Sequence, residues 1–277
     1  MNTELPHVLI VGAGDTGLVL ATVLSGAGLG VSTLNRSGRS VDGATPIVAD
    51  LADPSSLVDL PDADVVIFTT APPTRDDDGY RVAYVDGPQR VLDALRTEPA
   101  RAVLTSTTGV YGYDDARWVT ASTAPAPARR TAEIVVEGET ALAARVPTTI
   151  VRAAGIYGPG RGRMIEQVRT GAVGVTAGTP DRWTNRIHRD DLAASLALCA
   201  IHPSPPPAAI AVDDEPVPRD RVYTWLATQL GVALGPDRSP AASPMGKRCR
   251  NSELKDLGWE PAYPSYREGY SSILANL

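Results

Sequence analysis

Apolar residues follow two rhythms along the first two-thirds of this chain. Short, nearly continuous runs rich in β-branched residues alternate with longer stretches in which apolar side chains recur every third or fourth position. His7–Val11 (HVLIV), Gly30–Leu34, Thr45–Ala49, Asp64–Thr69, Arg101–Ser106 and Thr148–Ala153 read as strands. Asp64–Thr69 is apolar on both faces, as a strand buried inside a parallel sheet must be. Between the strands, Thr16–Ala27 carries Leu18, Leu20, Val23 and Leu24 at helical spacing, and Arg81–Arg96 and Arg130–Ala144 repeat the pattern. Strand and helix in alternation predict an α/β protein: a Rossmann-type, doubly wound parallel sheet.

After Gly158 the rhythm loosens. Asp190–His202 reads as a helix with Asp190 or Asp191 at its start, Ala208–Val212 as one more strand, and Arg219–Leu230 and Ser265–Leu274 as helices. Prolines at 203, 205, 206 and 207, and again at Pro236, Pro240 and Pro244, mark loops between them. Residues 1–158 are therefore expected to form a dinucleotide-binding domain. Residues 159–277 are expected to form mainly a small C-terminal substrate-binding cap, with segments packing back on the first.

Composition adds exclusions. The 277 residues carry a net charge of −6, so no nucleic-acid footprint is expected. No apolar run approaches the roughly 18 residues of a membrane helix, and Met1–His7 lacks a signal-peptide layout. The expectation is a soluble, cytoplasmic protein without membrane attachment. Cys199 and Cys249 cannot by themselves build a disulfide framework or a zinc site, and no metal is expected. Asp76-Asp77-Asp78 reads as a solvated loop tip. Only two of the 26 basic residues are lysines, Lys247 and Lys255. Where chemistry needs an ammonium group, residues 1–246 therefore supply none.

Gly12-Ala13-Gly14-Asp15-Thr16-Gly17 fits G-x-G-x-x-G between an apolar strand and a helix, the context in which that spacing has a mechanism. Gly12 permits the tight turn, Gly14 admits backbone to a pyrophosphate, and Gly17 lets the helix pack on the strand. Asp15 and Thr16 then sit where free N–H groups meet the anion at the positive end of the helix dipole. An acid at the end of the second strand would select NAD through the ribose 2′-OH. This chain has Leu34-Asn35-Arg36-Ser37-Gly38-Arg39 there instead. With Asn35 and Ser37 alongside two guanidiniums, Arg36 and Arg39, able to fork onto a phosphate, NADP is the expected cofactor.

With these motifs the chain resembles the extended short-chain dehydrogenases/reductases of the NAD(P)-dependent epimerase/dehydratase-like type. Asp50-Leu51 resembles the family pair that meets adenine, and Thr70-Ala71-Pro72 the turn passing the cofactor. Ser106-Thr107-Thr108-Gly109-Val110-Tyr111-Gly112 resembles the end of the fifth strand. Ala153-Ala154-Gly155-Ile156-Tyr157-Gly158-Pro159-Gly160 resembles the loop beside the nicotinamide, and Arg186–Leu192 a later motif entering a helix. The resemblance implies cofactor contacts from Asp50, Leu51, Thr70, Ala71, Thr105, Ala153, Ala154 and Gly155. It makes Thr107 the catalytic hydroxyl, three residues before Val110, and places Tyr113, Tyr157, Arg163 and His188 around a small-molecule substrate. Pairing through the helices flanking the fourth and fifth strands, a homodimer, is the implied assembly.

One departure is severe. The family's proton donor is a Tyr with a Lys four residues later, on the helix after the fifth strand. Here no Tyr lies between Tyr113 and Tyr157, and counting back from Gly138-Glu139 puts Thr131 and Val135 at the two positions. Another group must then move the proton. Tyr111, just past Thr107, is the first candidate; Tyr113, Tyr157, His188 and Arg129 or Arg130 stand behind it. The expected function is that of an NADP-dependent oxidoreductase, a carbonyl reductase or alcohol dehydrogenase, with a non-standard donor. The alternatives are a non-catalytic NADP(H)-binding sensor or accessory protein, and a nucleotide-sugar epimerase or dehydratase.

Overall fold

A computed structural model of the chain describes residues 6–173, 181–234 and 245–276. The break expected at Pro236, Pro240 and Pro244 lies outside them, as does Met1–Leu5 of the expected leaderless start. Seven strands form one parallel sheet: β1 (His7–Val11), β2 (Gly30–Asn35), β3 (Ala44–Val48), β4 (Val65–Phe68), β5 (Arg101–Thr107), β6 (Thr148–Ala153) and β7 (Ala208–Ala211). Their order across the sheet is β7-β6-β5-β4-β1-β2-β3, with β1 at the switch point between the two directions of winding. Val8 pairs with Val31 on one side and Val65 on the other, so the register locks apolar residues against apolar residues. Every residue of β4 is buried, as its doubly apolar pattern requires.

The helices close both faces. α1 (Asp15–Gly26) packs on the sheet and against α5 (Arg189–Ile201), while α3 (Arg130–Arg145) covers the other side. Asp77–Arg81, Val82–Asp86 and Gly87–Ala94 run on without a break and together form α2. The helix expected over 81–96 thus begins a turn earlier. Asp76 is its N-cap, accepting the Gly79 N–H at 2.9 Å, and Asp77 and Asp78 occupy the first turn, where the helix dipole favours negative charge. The acidic triplet is a helix start, not a loop tip. The middle of α2 widens to π geometry, and the cause is local. Pro88 lacks the N–H that would bond the Tyr84 carbonyl four residues back, so the Gly87 N–H reaches back five residues to Val82 instead.

Residues after 158 divide between two places. α5 and β7 join the main core, with Leu192, Leu196, Ala209 and Ile210 fully buried in it. α4 (Arg163–Arg169), α6 (Arg219–Leu230) and α7 (Tyr266–Leu274) gather a second cluster around Tyr157, Val222, Leu226, Tyr266 and Tyr270. The sheet edges differ. β3 is largely exposed and carries Pro46, whereas the short helix Ser252–Asp256 lies against β7.

A charged network crosses the core between β5, α3 and β6. The Arg152 guanidinium donates to both Glu139 oxygens at 3.0 and 2.6 Å and to the Tyr111 hydroxyl at 2.6 Å. Ser106 Oγ donates to Glu139 at 2.5 Å, and Tyr111 in turn donates to the Thr120 carbonyl at 3.1 Å. Removing one member strands a charge in the interior. Glu139→Ala is expected to lower the unfolding free energy by about 3–5 kcal/mol, and the paired Glu139→Leu/Arg152→Met variant by clearly less. Urea unfolding followed by circular dichroism measures both.

Candidate dinucleotide and substrate site

The turn from β1 into α1 is built by what its glycines allow. Gly12 has φ +80°, and a Cβ there would lie 2.7 Å from Thr70 Cα; one on Gly17 would lie 2.7 Å from Thr69 Oγ1. These two positions need glycine for the fold itself. Gly14 is different: the nearest atom to a Cβ there is the Gly12 carbonyl oxygen at 3.8 Å, so its outer face is open. The N–H groups of α1's first turn have no intrahelical acceptors, and no side chain caps them. Thr16 Oγ1, in that first turn, and Thr105 Oγ1, across the cleft on β5, are buried without a hydrogen-bond partner among the described residues. Unsatisfied donors around an open backbone face suit a phosphate-bearing ligand.

Two cavities meet at this turn, sharing Gly12, Gly14, Thr70 and Ala71. The first, of about 440 Å³, runs under the β2 end and is walled by Asn35, Arg36, Ser37 and Arg39 on one side and Asp50 and Leu51 on the other. The Asn35 side chain is spent on shaping that wall. Its oxygen accepts the N–H groups of Ser37 and Arg39 at 3.1 and 3.0 Å, and its amide donates to the Arg39 carbonyl at 2.6 Å. The turn so held presents Arg36 and Arg39 as exposed guanidiniums. The second cavity, of about 370 Å³, extends along the carboxyl ends of β4, β5 and β6, past Asp15 and Thr16 to Thr105, Thr107, Ala153 and Ala154. Of the expected cofactor positions, Gly17 and Gly155 line neither. Gly17 is buried under α1, and Gly155 is exposed, its N–H given to the Asn185 carbonyl at 3.1 Å.

Thr107 lines the second cavity with its hydroxyl half committed. Oγ1 accepts the Gly109 N–H at 3.0 Å, which leaves the O–H free to donate. Tyr111 is elsewhere. Its side chain is fully buried and its hydroxyl is held by Arg152 and Thr120, with burial, partly offset by the Arg152 charge, pushing the phenol up. A hydroxyl locked in the core cannot meet a substrate, so the geometry argues against Tyr111 as the proton donor. The expected substrate contacts diverge in the same way. Tyr157 and His188 are buried, ring on ring with Tyr270 and Tyr263 at 4.8 and 3.8 Å, and His188 Nδ1 accepts the Asp190 N–H as the cap of α5. Burial holds the His188 imidazole below its usual range, so it is neutral. Tyr113 donates to the Ala124 carbonyl under the Arg117 guanidinium, and Arg163 is exposed at the start of α4. None of the four lines either cavity.

The cavity wall includes residues that the motif reading passed over. Arg161, from the Gly158–Gly162 loop, reaches the start of α1, and its Nε donates to Asp15 at 2.6 Å. Arg189 holds the other Asp15 oxygen at 2.9 Å. Burial draws the Asp15 carboxyl up, but these hydrogen bonds and charges outweigh it and hold the carboxyl below its usual range. Tyr84, from the π turn of α2, lines the same cavity as Thr107. Lys247 spends its ammonium on the Tyr111 carbonyl at 2.6 Å and lines neither cavity.

No family model and no curated protein matches the chain. Among solved structures, a Methylobacillus flagellatus protein described as an NAD-dependent epimerase/dehydratase is 33% identical over 98% of both chains, with a TM-score of 0.87. The chain belongs to the NAD-dependent epimerase/dehydratase family. Two more distant structures share the fold. MoeE5, in complex with UDP-glucose and NAD, is 20% identical over 97% of each chain, with a TM-score of 0.77. The human epimerase family protein SDR39U1, with NADPH, is 18% identical, covers 98% of this chain and 100% of its own, and has a TM-score of 0.75. Of the two α3 positions singled out by counting back from Gly138-Glu139, Val135 is fully buried in the apolar core and Thr131 is half-buried.

The glycine geometry separates folding from ligand binding. Gly14→Ala is expected to change unfolding free energy by less than about 1 kcal/mol, since its methyl group meets open space. It should weaken pyridine-nucleotide binding at least about tenfold by occupying the diphosphate's approach. Gly17→Ala should do the reverse and destabilise the fold. Thermal unfolding and calorimetric titration, run on both variants, check the contrast.

Proposed function

We propose that this family member is an NADP-dependent oxidoreductase that reduces or oxidises a small carbonyl or alcohol substrate held beside Thr107. The observation that carries the reading is the continuous space from Arg36 and Arg39, past the open face of Gly14, to the Thr107 hydroxyl. In this reading Arg36 and Arg39 hold the 2′-phosphate, since β2 ends in Asn35 where an acid would select NAD. The first turn of α1 holds the diphosphate, and Arg161 stands within reach of the same anion. Thr107 donates its free O–H to the substrate oxygen and so orients the carbonyl. The bound cofactor would supply hydride chemistry at its nicotinamide, and the protein supplies position and polarity.

A second reading keeps the site and changes the outcome. Epimerisation or dehydration through a transient keto intermediate is favoured by the family membership itself and by MoeE5, a neighbour that holds UDP-glucose and NAD. That route needs a base and an acid of matched pKa within each cycle, and Thr131 and Val135 provide neither.

Calorimetry and turnover decide between them. Wild-type protein is expected to bind NADPH at least about tenfold more tightly than NADH, and Arg36→Ala to erase that preference while leaving NADH within about twofold. Equal affinity for both nucleotides, unchanged in the variant, sinks the NADP assignment. Net NADPH oxidation with aldehydes and ketones supports the reductase; turnover of a nucleotide sugar without net change in cofactor supports the epimerase. Tight binding with no turnover on either panel leaves a nucleotide-binding accessory protein.

A further inference from the structure

The proton donor absent from α3 has a replacement on the neighbouring helix. Tyr84 lines the second cavity together with Thr105, Ser106 and Thr107 on the facing strand and Ala153 and Ala154 on the next. Its hydroxyl makes no hydrogen bond to any described residue, in contrast to Tyr111 and Tyr113, whose hydroxyls are both committed. Tyr80 stacks on its ring at 5.9 Å, which fixes the ring plane.

Three features of the sequence put it there. Pro88 accounts for the π turn, Val82–Asp86, on which Tyr84 sits. Gly138 on α3 lets that turn come in close, because a Cβ at 138 would collide with the Tyr84 carbonyl. Val135, one turn earlier on the same face of α3, is apolar and buried, so it offers the phenol no hydrogen-bond partner. A phenol from α2 thus approaches the region that a phenol from α3 would otherwise serve.

We propose that Tyr84 is the proton-donating catalytic residue of the site, acting on a carbonyl substrate held by Thr107; this rests on the nicotinamide-dependent reading above. A bound dihydronicotinamide would supply a hydride to the substrate's carbonyl carbon; as that bond formed, the π electron pair would move onto oxygen, and the oxygen would take its proton from Tyr84 Oη. The alcohol leaves, and the phenolate recovers its proton from water. The groups acting on this phenol are Tyr80 on α2 and Glu139 on α3, and no lysine stands beside it. Burial first, then Tyr80 and Glu139, push it up to about 12. Such a phenol stays protonated at every physiological pH. In that state it can donate a proton to an oxygen that gains negative charge.

Two measurements test this on the intact protein. In the first, NADPH oxidation is followed with 4-nitrobenzaldehyde and 9,10-phenanthrenequinone as probe carbonyls. Tyr84→Phe is expected to lose about 100-fold in kcat with NADPH affinity within about twofold, whereas retention of kcat overturns the assignment. In the second, which needs no turnover, all nine tyrosines are replaced by 3-fluorotyrosine. The fluorine resonance missing from Tyr84→Phe is assigned to Tyr84. It is expected to move on adding NADPH and to move differently on adding NADP⁺, because the oxidised ring carries a positive charge. A Tyr84 resonance indifferent to the redox state of a nucleotide that calorimetry shows to be bound overturns the proposal. Failure of either nucleotide to bind overturns the cofactor reading instead.

Discussion

Because all seven strands of the sheet run in one direction, their carboxyl ends open on a single edge. Everything chemical in this molecule depends on that constraint. A parallel sheet delivers each loop that follows a strand to the same side, and the reversal of winding at β1 parts two of those loops into a crevice. The β1 turn, the β2 arginines, Thr70 after β4, Thr107 at the end of β5 and Ala153 at the end of β6 are distant in sequence. They share one cleft because the strands beneath them share one polarity. Helix α1 adds its first-turn donors to that edge, and Arg161 and Arg189 balance the Asp15 carboxylate there.

The strands and the glycine turn could be read directly from the sequence, since buried parallel strands have no polar face to interrupt them and G-x-G-x-x-G carries its own geometric reason. Side-chain direction could not. The motif ending in Val110-Tyr111-Gly112 places a backbone, but whether Tyr111 faces substrate or core depends on Arg152, forty-one residues away, and the arginine claims the hydroxyl. Tyr157 and His188 are buried for the same kind of reason, packed against aromatic rings from the last helix and the segment before it. Tyr84 was hidden differently. At helical spacing it is simply one more apolar residue, and only the fold brings it to the cleft, on the π segment before Pro88. A proline four residues after an aromatic residue, inside a helical run, was the one available sign.

The network of Ser106, Glu139, Arg152 and Tyr111 explains how Glu139, Arg152 and Tyr111 are tolerated behind the cleft, with Ser106 alone of the four at its wall. Glu139 accepts from Ser106 and Arg152, and Arg152 donates onward to a phenol and a carbonyl, so each buried polar group is answered by another. The network clamps α3 to β5 and β6, the two strands whose ends carry Thr107 and Ala153. The rigidity of the substrate side is thereby supplied from below, chiefly by Glu139, Arg152 and Tyr111, which line neither cavity.

Pro46 on the outermost strand has a consequence for how copies of this protein can meet. A proline survives in a strand only where its missing donor faces away from the neighbour, so the free margin of β3 offers an interrupted row of N–H groups to any incoming chain. At the opposite margin the short helix Ser252–Asp256 lies across β7. Neither border invites a further strand, which leaves self-association to surfaces of helices and guards crowded, newly made chains against stacking into ribbons.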